Sequence, residues 1–294
     1  MTLCNRSPLA VWNMSTRNNL LGAFAALALL APGWANADQQ PQSQWDELTQ
    51  LGQPPHTQDQ PAWWKEVQLN LIPEYFYWRE DLNGNKILDE SGFRIGLAAV
   101  YVPSKERGWI WASGVKAYAG SVDYNGGVQL ASGETMPLKS TTDYYGTTAE
   151  AGYGYRYEVG QNYFFDVLGR VNLDFWVRHL GSLHGYNEYW FPINVKAGVE
   201  LSPREVGWVA ALGLKVPVYT YQTADFDRLG GGTVTLHPKP MVTPYAEAGY
   251  KFNKNLSLAA FFDSYWFKQS AVHEGFLQPE SKSYQVGVRV GWLF

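Results

Sequence analysis

The feature that most constrains this chain is an alternation of period two that runs longer than a soluble strand needs. In "YFFDVLGRVNLDFWVR", Tyr163, Phe165, Val167, Val171, Leu173, Phe175 and Val177 share one phase. Asp166, Arg170, Asn172, Asp174 and Arg178 share the other. The closing stretch "YQVGVRVGWLF" repeats the pattern, with Tyr284, Val286, Val288, Val290, Trp292 and Phe294 against Gln285, Gly287, Arg289 and Gly291. Successive side chains of a strand point to opposite faces, so each of these segments is a strand with one apolar and one polar face. Ten are legible, at about 66–78, 92–102, 109–122, 143–157, 162–177, 188–201, 207–221, 241–252, 256–268 and 282–294. Most exceed the roughly 9–11 residues of a tilted strand that crosses a bilayer, whereas strands of soluble domains run nearer five or six.

The connections alternate as well. "PSKERG", "EVGQN", "SPREVG" and "NKN" are short, and the five between them are longer and polar. Aromatic residues sit on the apolar phase at the short-turn ends, at Tyr101, Trp109, Tyr155, Tyr157, Tyr163, Trp208, Tyr250 and Phe252. A second set, Tyr75, Tyr77, Tyr145, Tyr189 and Trp266, marks the other ends. Two aromatic girdles bounding an apolar band are what a membrane interface selects. These strands, with a final strand ending in Phe294, resemble the bacterial outer-membrane β-barrel class over residues 66–294. The resemblance implies an all-β, transmembrane, antiparallel up-and-down β-barrel of about 10 strands, or 12 if residues 124–142 hide a further hairpin. It also implies assembly by the barrel assembly machinery through the strand ending at Phe294, a surround of lipid and lipopolysaccharide, and both termini in the periplasm.

Composition agrees with that class. Aromatic residues make up 16 % of the chain and glycines number 29, yet mean hydropathy is −0.28, because lipid-facing and lumen-facing residues cancel in an average. Residues 1–37 read as a signal peptide: Arg17, an apolar run from Leu20 to Ala31, then Ala35-Asn36-Ala37. That run is too short to span a bilayer as a helix. The leader carries Cys4, the only cysteine, so the mature chain has no disulfide or thiol chemistry. It also carries Arg6 and Arg17; 23 basic residues less these two leave 21 against 27 acidic ones, a net of −6. Nothing forms the basic patch that nucleic acid requires. Residues 38–65, rich in Gln and Pro, read as a periplasmic linker.

One stretch imitates a metal loop. In "REDLNGNKILDESG", Asp81, Asn83, Asn85 and Asp89 are spaced like the start of an EF-hand. Counting from Asp81, the sixth and twelfth positions are Lys86 and Gly92, where an EF-hand needs Gly and a bidentate Glu. "NGN" is instead hairpin-turn chemistry. The four oxygen-bearing residues remain candidates for a weak calcium site of roughly 0.1–1 mM affinity. No other cofactor is indicated.

Phasing assigns Glu74, Glu150, Asp166, Asp174, Glu200, Glu247 and Asp263 to the lumen, with Arg94, Lys116, Arg156, Arg170, Lys196, Lys215, Lys251 and Arg289. Seven acids against eight bases lack the single-sign bias of an ion-selective pore. Barrels near eight strands are filled by their own side chains, and about sixteen are needed for an aqueous channel. The expectation is a lumen plugged by paired charges, with a narrow channel for small solutes as the alternative.

At the rim, His179, His184, His237 and His273 all fall in the long-loop regions, near Asp225, Asp227, Glu188 and Glu274. Such a set could supply acid/base chemistry near neutral pH or hold a metal. In size and strand number the chain is similar to the omptins, ten-stranded proteases that activate water between an Asp pair and an Asp–His pair across a rim groove. Asp225, Asp227 and His237 give only part of that pattern, from one late loop, with no facing early carboxylate pair. The catalytic pattern is not matched. Recognition of an unknown extracellular ligand by the loops, or a structural role, is therefore the leading reading, and an omptin-like surface hydrolase is the second alternative.

Overall fold

The computed structural model describes residues 66–129, 135–180, 185–227 and 232–293. The leader, the linker, His184 and Phe294 lie outside them. Twelve strands follow in chain order: β1 (Val67–Leu82), β2 (Asn85–Tyr101), β3 (Gly108–Gln129), β4 (Thr135–Val159), β5 (Tyr163–Leu180), β6 (Asn187–Pro203), β7 (Gly207–Asp225), β8 (Thr233–Leu236), β9 (Lys239–Pro240), β10 (Thr243–Lys251), β11 (Leu256–Lys268) and β12 (Glu280–Leu293). Each long strand pairs antiparallel with its sequence neighbours, β7 pairs with β10, and β12 pairs with β1. Ten strands thus close into a barrel, and β8 and β9 stand outside the ring.

Closure satisfies every edge, which an open sheet in lipid could not do. The outward phase is apolar and exposed, as at Leu69, Leu71, Ile95, Leu97, Val115, Val171, Leu212 and Val286. At the short-turn end this band meets Trp109, Trp111, Tyr153, Trp208 and Trp292. Trp109 stacks on Tyr153 at 5.0 Å and meets Tyr155 edge-on at 5.4 Å. On the inner wall, glycines make room for rings. A Cβ at Gly198 or Gly213 would collide with the Tyr245 phenol lying across β6 and β7.

Three details differ from the sequence reading. The segment 79–92 is no long loop: β1 and β2 stay paired to Leu82↔Asn85, with Asn83 (φ 52°) and Gly84 (φ 80°) as a two-residue turn. Positive φ at both turn residues is what the hairpin geometry needs, and "NGN" supplies it. The described residues of 124–142 add no strand. They lengthen β3 and β4 to Gln129↔Thr135, whereas the neighbouring pairings stop at Asp89↔Asn125 and Thr142↔Leu180. The two extra strands lie in the region read as the fourth long loop. There Pro238, Pro240 and Pro244 each remove a backbone donor and break one stave into pieces. β8 pairs with β7, β9 with β11, and only β10 bridges both.

Candidate functional site

The rim residues singled out by sequence go to separate partners. Asp225 ends β7 and its carboxylate accepts the Asp227 N–H at 3.0 Å. His237 lies between β8 and β9, its Nδ1 3.1 Å from the Thr220 carbonyl oxygen and its ring flanked by Tyr219 and Tyr221 at 5.7 and 5.8 Å. His273 and Glu274 form an exposed turn and approach each other to 3.8 Å. His179 is in β5, not in a loop, and its Nδ1 is 2.5 Å from Asn187 Oδ1. Among the described residues, no group of three or more His, Cys, Asp or Glu side chains gathers at metal-binding spacing.

The calcium candidates are likewise engaged elsewhere. Asp81 takes two hydrogen bonds from the Arg79 guanidinium, at 2.9 and 2.6 Å. Asp89 accepts from Lys86 at 2.6 Å, which raises the Lys86 ammonium above its ordinary pKa. Asn83 is a turn residue, and Asn85 opens β2 opposite Leu82. Each carboxylate already has a cation of its own.

Inside the barrel the charges form a ladder. At the short-turn end Arg156 binds Asp166 through two parallel bonds of 2.8 and 2.7 Å and donates to the Pro103 and Lys105 carbonyls. Arg289 pairs with Glu247 at 2.8 Å, and Lys251 lines the same mouth. Midway, Arg170 bridges Glu150 and Glu200, while Lys196 reaches Glu150 at 2.5 Å. Lys215 meets Asp263 at 2.7 Å and covers the Tyr265 ring at 3.3 Å. Glu74 takes both Lys116 and Arg94 at 2.6 Å. Asp174 accepts from Thr148, Asn194 and Tyr265. Pairs buried as deeply as Arg94–Glu74 and Arg156–Asp166 add little net stability, but losing one partner leaves a stranded charge. Their main effect is to fix which inward positions face each other.

Above the ladder the filling changes. Phe76, Trp78, Tyr144, Trp176, Trp190, Tyr265 and Phe267 form one buried cluster. Trp176 stacks on Trp190 at 5.5 Å, and Trp78 and Phe267 pack on Trp190 at 5.3 and 5.4 Å. Over this layer sits a hub that the sequence reading missed. Arg178 pairs with Glu80 and Glu90 at 2.9 Å and with Glu188 at 3.0 Å. Indole N–H groups of Trp78 and Trp190 donate to Glu80 and Glu188, and Thr142 and Tyr144 donate to Glu90. All four charged members are buried. Gln222 donates to Gln278 at 2.7 Å and Gln278 donates to Ser281 at 2.9 Å, and all three are buried.

Below the aromatic layer a cavity of about 380 Å³ remains. Phe76, Trp176 and Tyr265 roof it, and it is continuous through Gln68, Pro103, Arg156 and Ser202 with a mouth of about 740 Å³ at the short-turn end. The lumen is therefore a chamber open at one end.

A closed antiparallel ring with an apolar waist, aromatic borders and a polar interior leaves one reading of the architecture. The fold is that of a bacterial outer-membrane β-barrel. Among solved structures the chain is similar to the outer-membrane protease OmpT of Escherichia coli, at TM-score 0.46 and 10 % identity over 78 % of this chain and 96 % of that one. It is also similar to the transport unit of the autotransporter AIDA-I of Escherichia coli, at 0.40 and 8 % over 93 % and 98 %. An outer-membrane channel of Pseudomonas putida F1 matches at 0.37 and 11 % over 78 % and 96 %. Likeness at this level carries no activity across, and the fold rests on the geometry above. No protein-family model matches the chain, and no curated protein matches it in sequence.

The hub escaped the sequence reading because Glu80 and Glu90 lie just past the points where the outward phase turns polar, which left Arg178, already on the polar phase of its strand, without visible partners. The inward phase carries on unbroken: Glu74, Phe76, Trp78, Glu80 on β1, and Asp174, Trp176, Arg178 on β5. Following that phase alone would have found both the hub and the aromatic layer.

Proposed function

We propose that this is a bacterial outer-membrane surface protein, with both termini in the periplasm, that conducts no ions and presents its β3–β4 hairpin as an extracellular recognition surface. The observation that carries the reading is a lumen sealed by the Trp176–Trp190 layer and the Arg178 hub, beneath a hairpin that outreaches its neighbours. Above Asn125 the hairpin continues for four paired residues as a free two-stranded arm, ~13 Å at the strand rise of about 3.4 Å per residue. Elements that rise from a rigid scaffold are where recognition concentrates.

The test has two parts. In planar bilayers the purified protein should give no current steps; stable porin-sized conductance would overturn the sealed-lumen reading and put transport first. On intact cells, protease should cut at Lys139 and spare Lys105 and Arg204, and cutting at the latter two would reverse the orientation. Replacing residues 126–138, the rungs beyond the last β2–β3 pair, by a two-residue Asn-Gly turn should abolish adsorption of the cells to protein- and glycan-coated surfaces, and unchanged adsorption would remove the hairpin from the reading.

A further inference from the structure

The chamber below the aromatic layer has a shape and a lining that a mere gap between packed side chains would lack. At about 380 Å³ it lies at the lower end of the roughly 300–1,000 Å³ range of small-molecule sites. One end is closed by rings and the other leads to solvent, so a solute of one or two rings could enter, and only from the short-turn end. What could bind there follows from how the charges are arranged.

Each ion-paired carboxylate on the wall has its cation in contact: Glu150 with Lys196 and Arg170, Glu200 with Arg170, Asp263 with Lys215. An ionic solute of either sign would have to compete with the opposite charge each of these groups already holds. Asp174, the lining carboxylate with no cation in contact among the described residues, is buried and takes its hydrogen bonds from Thr148, Asn194 and Tyr265. The pairs are not hidden equally, however. Arg170 and Lys215 stand against the wall with 8 % and 1 % of their side chains exposed, while Glu150, Glu200 and Asp263 keep 22 %, 31 % and 30 % facing the space. Lys116 and Lys196 also keep part of their side chains exposed. The free surface is thus a mosaic of hydrogen-bond acceptors and donors whose charges are already neutralised from behind. In the same wall, Arg289 Nε is a buried donor without a hydrogen-bond partner. Phe261 and Tyr118 add ring surface.

A neutral molecule with hydroxyls on several sides satisfies this lining without disturbing a pair, since each hydroxyl both donates and accepts. Its C–H faces would lie on the rings. We propose that the chamber binds a small neutral polyhydroxylated solute of mono- to disaccharide size, taken up from the periplasmic end. The proposal does not depend on what the extracellular hairpin recognises.

Titration calorimetry on the folded barrel in a detergent without a sugar headgroup tests it, with glucose and trehalose, putrescine and succinate as probes. Saturable binding is expected for a saccharide and for neither ion. Ala211→Trp and Ala98→Trp fill the chamber without removing a member of any ion pair, and each should weaken that binding at least tenfold. Heat-modifiable migration on gels verifies that each variant is folded; Ala211→Leu or Ala98→Leu, with a threefold or greater loss expected, replaces one that is not. Tighter binding of putrescine or succinate than of either saccharide would overturn the proposal. So would absence of heat with both saccharides, or saccharide binding that survives in the filled variants.

Discussion

The two halves of this lumen are built by the same alternation and solve opposite problems. The lower half is lined by ion pairs that stand around a space, and several of their carboxylates keep a quarter or so of their surface exposed. In the upper half, among the described residues, indole and phenol rings meet across the axis, and the Arg178 hub above them is buried. A ladder of salt bridges alone therefore does not seal a ten-strand barrel. Sealing comes from bulk, since a tryptophan fills volume that an extended Lys or Glu leaves open, and the charges set register and specificity.

The strongest way to break the contrast is to remove the bulk. Trp176→Ala combined with Trp190→Ala should open a path to the chamber, so that a protein with no current steps acquires measurable ion conductance in planar bilayers. Each substitution should also cost about 3–5 kcal/mol of unfolding free energy, as for large aromatic truncations in packed cores. A double variant that stays silent would mean the hub seals the lumen unaided.

Arginine deletion compares the halves directly. Arg178→Ala strands three buried carboxylates and should cost about 3–5 kcal/mol in urea unfolding from lipid vesicles. Arg170→Ala removes the partner of two carboxylates that water already reaches, and about 1 kcal/mol is expected. Equal losses would show that both halves are equally dry. A smaller effect is expected at the rim: Gly84→Ala places a Cβ at φ 80°, costing about 1 kcal/mol and loosening only the end of the β1–β2 hairpin, seen as faster local hydrogen exchange. The smallest should be Lys254→Ala in the last short turn. Lys254 holds the Glu205 carboxyl below its usual pKa, so any stabilisation is present at neutral pH and lost as pH falls through that depressed value. Both groups are exposed, and unfolding curves at neutral and acid pH should superimpose on those of the parent protein.

Much of this was legible from the chain because period two records two solvents at once. Lipid demands apolar residues on one phase for the length of the crossing, and the lumen tolerates polar ones on the other. Strand number, strand phase and the ladder from Arg156 to Arg94 follow from that alone. The strand ends were not legible, because beyond the lipid the outward phase becomes Arg79, Asp89 or Asp123, residues that also populate loops. What Asp225, His237 and His273 contact depends on how one stave breaks at Pro238, Pro240 and Pro244, and neither spacing nor composition encodes that path. The chamber was invisible for a related reason. It is the volume left over after packing, and no single residue announces it.

The long β3–β4 hairpin carries a consequence for how such a protein can change through descent. Its outer rungs pair only with each other, so adding two residues to each arm lengthens it while every barrel register below stays as it is. An insertion of one residue would instead turn each side chain beyond it to the opposite face. Length in steps of two is then nearly free to drift, and the wall is not. Homologues should accordingly vary in the reach of this arm long before they vary in the number of staves.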